Sequence, residues 1–221
     1  MLHKVRVWDA PTRWFHWLLT VAVIALVVTA NVGGSAMVWH FRLGYAVLTL
    51  LLFRLAWGGL GGHWSRFNVF LYSPQEVLKY LRGKTDQQHR VGHNPVGALS
   101  VYALLGILML QGGSGLFSDD EISSTGPFAH LVSGDWVSTA TWYHKDIGQY
   151  VLMALVALHV TAILFYWFKK KENLLKPMLT GDKLLDFPAQ SSADRASDRI
   201  KALVVLGVSV GIMVGALKWL G

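Results

Sequence analysis

Residues 11–30 read PTRWFHWLLTVAVIALVVTA, an almost unbroken apolar run. A helix needs about 20 such residues to cross a bilayer, so the stretch reads as a membrane span. One polar ring interrupts it. His16 sits among Trp14, Phe15 and Trp17. An ionisable side chain in hydrocarbon is costly, which makes an imidazole there a functional position by default. The basic start and the small residues VTA before Asn31 also suit a cleaved signal peptide. That reading is disfavoured, because the run is long for such a segment and carries His16 with its aromatics.

The whole chain follows the same bias. Of 221 residues, 53% are hydrophobic and 15% charged, and the mean hydropathy is +0.40. Soluble domains carry about 25% charged residues. Ten tryptophans suit the headgroup belts of a membrane protein. There is no cysteine, which excludes disulfides, cysteine-held iron–sulfur clusters, thiolate zinc sites and covalent c-type haem.

Five segments are apolar enough to span: 14–32, 38–58, 96–116, 147–168 and 201–220. The chain is therefore expected to be an all-α integral membrane protein. The net charge of +7 lies almost wholly in alternate connections. The N-terminal tail holds Lys4, Arg6 and Arg13, the 59–95 loop Arg66, Lys79, Arg82, Lys84 and Arg90, and the 169–200 loop seven Lys and Arg residues. The 33–37 loop has no charge, and the 117–146 loop sets Asp119, Asp120, Glu121, Asp135 and Asp146 against Lys145. The positive-inside rule then puts the N-terminus in the cytoplasm and the C-terminus outside. This placement accounts for the charge by topology, so no nucleic-acid partner is expected. In the 59–95 loop, SPQE predicts a short helix. Ser73 is its N-cap, Pro74 its first residue and Glu76 its reciprocal cap, and Gly83 stops it. Its apolar face, Val77, Leu78 and Leu81, suits either the inner membrane surface or a solvated loop.

Nine histidines are present. His3, His63, His89 and His130 fall in loops, whereas His16, His40, His144 and His159 fall in or at the edges of spans. The alternation of spans sorts these four by depth. His16 lies near the inner face, and His40 and His144 near the outer. His159 is fifteen residues beyond His144, about 22 Å deeper on the same helix face. The result is two pairs, His16 with His159 and His40 with His144. Two ligands are too few for a bare zinc ion, which takes at least three from protein. They are enough for a haem, whose macrocycle supplies the other four. Without cysteine such a haem is of the b type. Gly44 and Gly148 follow His40 and His144 at i+4, one turn along the same face, and leave room for a flat macrocycle. His93, with Gly97 at i+4, competes with His16 for the inner site, although Pro95 starts the third helix after it. Arg13, Arg42 and Arg54 are candidate partners for haem propionates, with snorkelling as the alternative role.

The segments VWDAPTRWFHW (7–17), WHFRLGYAVLTLLLFRLAWG (39–58), GHNPVGALS (92–100), YHKDIGQYVLMALVALHV (143–160) and KKKENLLKPMLTGDK (169–183) resemble the bacterial cytochrome b-561 and nickel–iron hydrogenase cytochrome b-subunit family. The resemblance covers about residues 5–185. It implies a four-helix, dihaem membrane domain over 1–185, with His16 and His159 on the inner haem and His40 and His144 on the outer. Residues 186–221 add a linker and a fifth span outside that pattern. It also implies electron relay, as an oxidoreductase subunit of a respiratory chain, between membrane quinone and a periplasmic partner: a hydrogenase, another oxidoreductase or a c-type cytochrome. By analogy with formate dehydrogenase cytochrome subunits, Asn94 matches an Asn beside the quinone, with His93 next to it as a proton carrier. The expected setting is the bacterial inner membrane, with a partner on the outer face at Asp119, Asp120 and Glu121, and a second copy as a further possible partner. The rival readings are a stand-alone quinone oxidoreductase that reacts with a small oxidant such as superoxide, and a haemless transporter or metal permease.

Overall fold

The computed structural model describes residues 1–120 and 124–220. The chain is an all-α integral membrane protein, and five helices among the described residues are long and apolar enough to cross a bilayer. They are α1 (Ala10–Val32), α2 (Met37–Leu60), α4 (Pro95–Gly115), a composite fourth helix and α8 (Ala196–Trp219). The fourth is built from α5 (Gly134–Trp142), a π-helical turn (Tyr143–Gly148) and α6 (Gln149–Phe168). It begins at Gly134, well before the expected 147. Hydropathy detects only the part of a helix that suits hydrocarbon, and the polar residues Asp135, Thr139, Lys145 and Asp146 hid the rest. Asp135 and Asp146 therefore lie on a helix rather than in a loop. Glu121 lies outside the described residues.

Apolar side chains cover the outside of these helices. On α1, Trp14, Leu18, Val21, Ile24 and Val28 recur every three or four residues and are all exposed. Such a stripe in water would be an aggregation surface; in lipid it is the ordinary exterior.

The shorter elements are α3 (Pro74–Leu81), α7 (Leu175–Thr180) and a two-stranded ribbon of β1 (His3–Arg6) and β2 (Asp182–Leu185). The expected capping box of α3 is present. Ser73 Oγ accepts from Glu76 N, and Glu76 Oε2 accepts from Ser73 N at 2.7 Å. Those bonds hold the Glu76 carboxyl below its usual range. The ribbon is antiparallel, with His3 opposite Leu185 and Arg6 opposite Asp182. Gly181 ends α7 at φ +89°, where a side chain would be strained, and its carbonyl accepts from both Val7 N and Trp8 N.

The chain divides into two compact units. The first comprises Met1–Phe15, Arg54–Ala103 and Ala157–Val205. Its core holds Val5, Val7, Trp8, Trp64, Val91 and Leu185. Beside that core is a carboxylate with no exposed surface, Asp9. Asp9 Oδ1 caps α1 by accepting from Thr12 N at 2.8 Å, and the indole of Trp57 donates to both oxygens at 3.2 and 3.3 Å. Gly62 N donates to Oδ2 at 2.8 Å. The 186–195 segment is packed here too. Ser192 Oγ donates to Val7 O and accepts from Trp64 N, and Asp194 binds Arg6 and Ala10 N. The second unit comprises His16–Phe53, Leu104–Val156 and Leu206–Gly221.

Asp9→Ala leaves three buried N–H donors without an acceptor. Donors to a charged group are expected to cost about 3 kcal/mol together when orphaned. Chemical unfolding of the detergent-solubilised protein should record that loss, with a smaller one for Asp9→Asn.

Candidate functional site

In the second unit, α2 carries His40 and the π turn carries His144. Their ring centres are 6.2 Å apart and the rings are perpendicular, at 88°. Each imidazole is tethered through Nδ1. His40 Nδ1 lies 3.1 Å from Leu26 O, and His144 Nδ1 lies 2.8 Å from Gln111 O. A carbonyl can only accept, so both rings carry their hydrogen on Nδ1 and present Nε2 as a lone pair. A second bond crosses between the same elements, because the Gln111 side chain donates to His144 O at 2.9 Å. A π turn inserts one extra residue into a helix and often marks a functional site; here it carries His144 and Gly148 together.

The two glycines at i+4 differ. A Cβ at Gly44 would meet nothing within 4 Å, so the space beside His40 is open. A Cβ at Gly148 would run into the Gln111 amide oxygen and the Tyr143 ring. Gly148 thus admits the glutamine that binds the His144 carbonyl.

The first unit gathers a different set. The His93 ring is wedged between Trp8 and Phe70, with centroids at 4.6 Å to each. Its carbonyl accepts from Tyr72 at 2.9 Å. Asn94 caps α4 through Oδ1, which accepts from Gly97 N at 2.8 Å, and its amide donates to Tyr166 Oη at 2.8 Å. Tyr166 Oη also pairs with Tyr80 Oη at 2.8 Å. Burial first, and then the bond to Tyr166, push the Tyr80 phenol far above its usual range. Neither tyrosine was expected from the sequence. The signal for Tyr166 was there, seven residues and two turns beyond His159 on one helix. His159 also belongs to this unit and His16 to the second.

The three arginines separate clearly. Arg13 donates through Nη1 to Leu179 O at 2.7 Å and lies 3.9 Å from Asp194, and its buried Nε has no hydrogen-bond partner among the described residues. Arg42 is exposed, over the Trp39 ring at 5.1 Å. Arg54 is 3% exposed and lies over the Phe67 ring at 4.5 Å, and its Nη1 has no hydrogen-bond partner among the described residues.

The model of the family described as prokaryotic cytochrome b561 matches residues 7–181. The chain belongs to that family. Among its relatives is the "Probable Ni/Fe-hydrogenase 1 B-type cytochrome subunit" of Escherichia coli K12. It is 24% identical over 225 residues, which cover 86% of this chain and 95% of that one. "Probable Ni/Fe-hydrogenase B-type cytochrome subunit" proteins of Bradyrhizobium diazoefficiens and Cupriavidus necator are 24% and 25% identical, covering 81% and 79% of this chain and 85% of each of theirs. No solved structure matches.

A cytochrome b561 carries haem b and transfers electrons. His40 and His144 fit that group. A metal–imidazole bond is about 2.0 Å, and the ring centre lies about 1.1 Å further, so two rings across one iron have centres about 6.2 Å apart. His40 and His144 stand at that spacing, and each leaves its Nε2 lone pair available to a ligand. No three His, Asp or Glu side chains gather as metal ligands among the described residues, so the donor set suits a macrocycle rather than a bare ion.

Tyr166→Phe removes the hydroxyl shared by Asn94 and Tyr80. The Tyr80 phenol should then ionise at lower pH, still above the ordinary tyrosine range because burial remains. Alkaline titration of phenolate absorbance checks this.

Proposed function

We propose that this chain is the dihaem membrane subunit of a quinone-linked oxidoreductase. It relays electrons between the quinone pool and a redox protein at the periplasmic face of the bacterial inner membrane. The names of its relatives favour a Ni/Fe hydrogenase as that partner. The observation that carries the reading is the His40–His144 pair, with both Nδ1 atoms held by backbone carbonyls and ring centres 6.2 Å apart. That arrangement is the usual way a protein fixes the tautomer and direction of a ligating histidine.

His16 and His159 are the proposed ligands of a second, inner haem, on the strength of their matching depth. Arg54 is the best supported propionate partner. Its buried, unpaired Nη1 needs an acceptor, and a carboxylate oxygen would supply a charge-assisted one. Arg13, whose buried Nε also lacks a partner among the described residues, is held by Leu179 O and Asp194, and Arg42 is exposed, so both are weaker candidates. When bound, the haems supply the one-electron chemistry, and the chain holds them, orients them and excludes water.

Quinone is proposed to react at the inner mouth, beside His93 and Asn94. The second hydrogen of the Asn94 amide can reach a quinone carbonyl, and the hydroxyls of Tyr166 and Tyr80 continue the hydrogen-bonded chain from that amide. The excess of Lys and Arg in the connections of this side supports its placement in the cytoplasm. Electrons passing inward from a periplasmic donor then move against the membrane potential, storing about 2.3 kcal/mol per charge per 100 mV. The partner is proposed to dock at the opposite, acidic side, which includes Asp119, Asp120 and Glu121 and would steer a basic surface.

The purified protein should hold two non-covalent haems per chain by pyridine haemochrome assay. His40→Ala or His144→Ala should remove one, and His16→Ala or His159→Ala the other. One haem in the unmodified chain overturns the dihaem scheme, and haem loss from His93→Ala reassigns the inner site. For the quinone site, Asn94→Ser retains a helix cap and loses the amide donor. Stopped-flow mixing with quinol should show slower haem reduction with both haems present; an unchanged rate places the quinone elsewhere.

A further inference from the structure

The two outer imidazoles are held by the same local device on two different helices. On α1, Leu26 O accepts from His40 Nδ1, and Thr29, three residues later, brings its hydroxyl to 3.4 Å from that nitrogen. On α4, Gln111 O accepts from His144 Nδ1, and Ser114, again three residues later, brings its hydroxyl to 3.3 Å. Each hydroxyl also donates back to the carbonyl that its imidazole uses, Thr29 to Leu26 O at 3.1 Å and Ser114 to Gln111 O at 3.0 Å. Each carbonyl is therefore shared between a ring N–H and a hydroxyl. The two cases differ in one respect. The Thr29 hydroxyl divides its hydrogen, since Ala25 O lies closer at 2.8 Å, whereas Ser114 gives its hydrogen to Gln111 O alone.

The sharing has an electronic consequence. The harder an acceptor pulls on Nδ1–H, the more electron density the imidazole gives to a metal at Nε2. A denser ligand favours the ferric state and lowers the reduction potential. A carbonyl that already accepts from a hydroxyl pulls less. We propose that Thr29 and Ser114 are positioning residues that raise the reduction potential of the outer haem, by occupying part of the carbonyls that orient His40 and His144. The proposal rests on the assignment of those two histidines as axial ligands. Both hydroxyls act through a hydrogen bond to the ligand and touch no reacting atom. The couple is one electron, with the imidazole hydrogen staying on Nδ1 in both states.

The test is a mediated redox titration of the purified dihaem protein, with low-temperature electron paramagnetic resonance to report the ligand field. The outer haem is identified as the one missing from His40→Ala. Ser114→Ala should shift its reduction equilibrium about threefold toward the ferric form, about 28 mV at 59 mV per tenfold. Thr29→Val should shift it the same way by less, because that hydroxyl is already divided. The inner haem should not move, and Ser114→Thr and Thr29→Ser should restore the original value. An unchanged or raised outer potential in both variants, with two haems retained, overturns the proposal. So does loss of the outer haem from both, which would make the hydroxyls merely structural. Retention of both haems by His40→Ala would instead overturn the ligand assignment on which it stands.

Discussion

Asp9 is the point on which the first unit turns. A carboxylate with no exposed surface is tolerable only when its oxygens are filled, and here they are filled by the first turn of α1, the Trp57 indole of α2 and the backbone of Gly62. One charge thus ties the start of one membrane helix to the end of the next. It sits at the positive end of α1, where a negative charge is favoured, and its field acts on Arg54. The β-ribbon and the 186–195 segment then close over the same residues, through Ser192 and Asp194.

The histidines obey the same rule in a drier setting. A hydrocarbon environment offers no water to an imidazole N–H, so His40 and His144 each find a backbone carbonyl on another helix. Those carbonyls are available because a helical carbonyl keeps a second lone pair beyond its own ladder bond. The bond that solvates Nδ1 also fixes the tautomer: satisfying Nδ1 leaves Nε2 as the lone pair. Asn94 shows a similar economy, with one amide atom capping α4 and the other reaching Tyr166. A substitution there disturbs a helix start as well as any ligand contact, unless the new side chain can itself cap the helix.

Much of this was legible along the chain. Five apolar runs announced five spans, because a helix in lipid must be apolar over its whole crossing. The Ser73–Glu76 capping box was readable because its two bonds join residues three apart. The start of the fourth helix was not, because the polar residues from Asp135 to Asp146 look like loop to any hydropathy measure. Nor was the π turn around His144, whose hydrogen bonds follow from how the helix is packed. The tyrosine pair was invisible for another reason. Tyr80 and Tyr166 are eighty-six positions apart, and nothing in either local sequence names the other.

The sequence by itself determined the membrane class, the number of apolar helices, the alternation of charge between connections and which histidines fall in or beside them. These properties follow from composition and period, which are set residue by residue. Only the tertiary structure decided which groups meet: that the ring centres of His40 and His144 stand 6.2 Å apart, that Leu26 and Gln111 supply the carbonyls bonded to their Nδ1 atoms, and that Arg54 is 3% exposed with a buried Nη1 lacking a partner among the described residues. Hydrogen bonds between helices depend on rotation and depth to within about an ångström, and periodicity fixes a helix face only to within a broad arc.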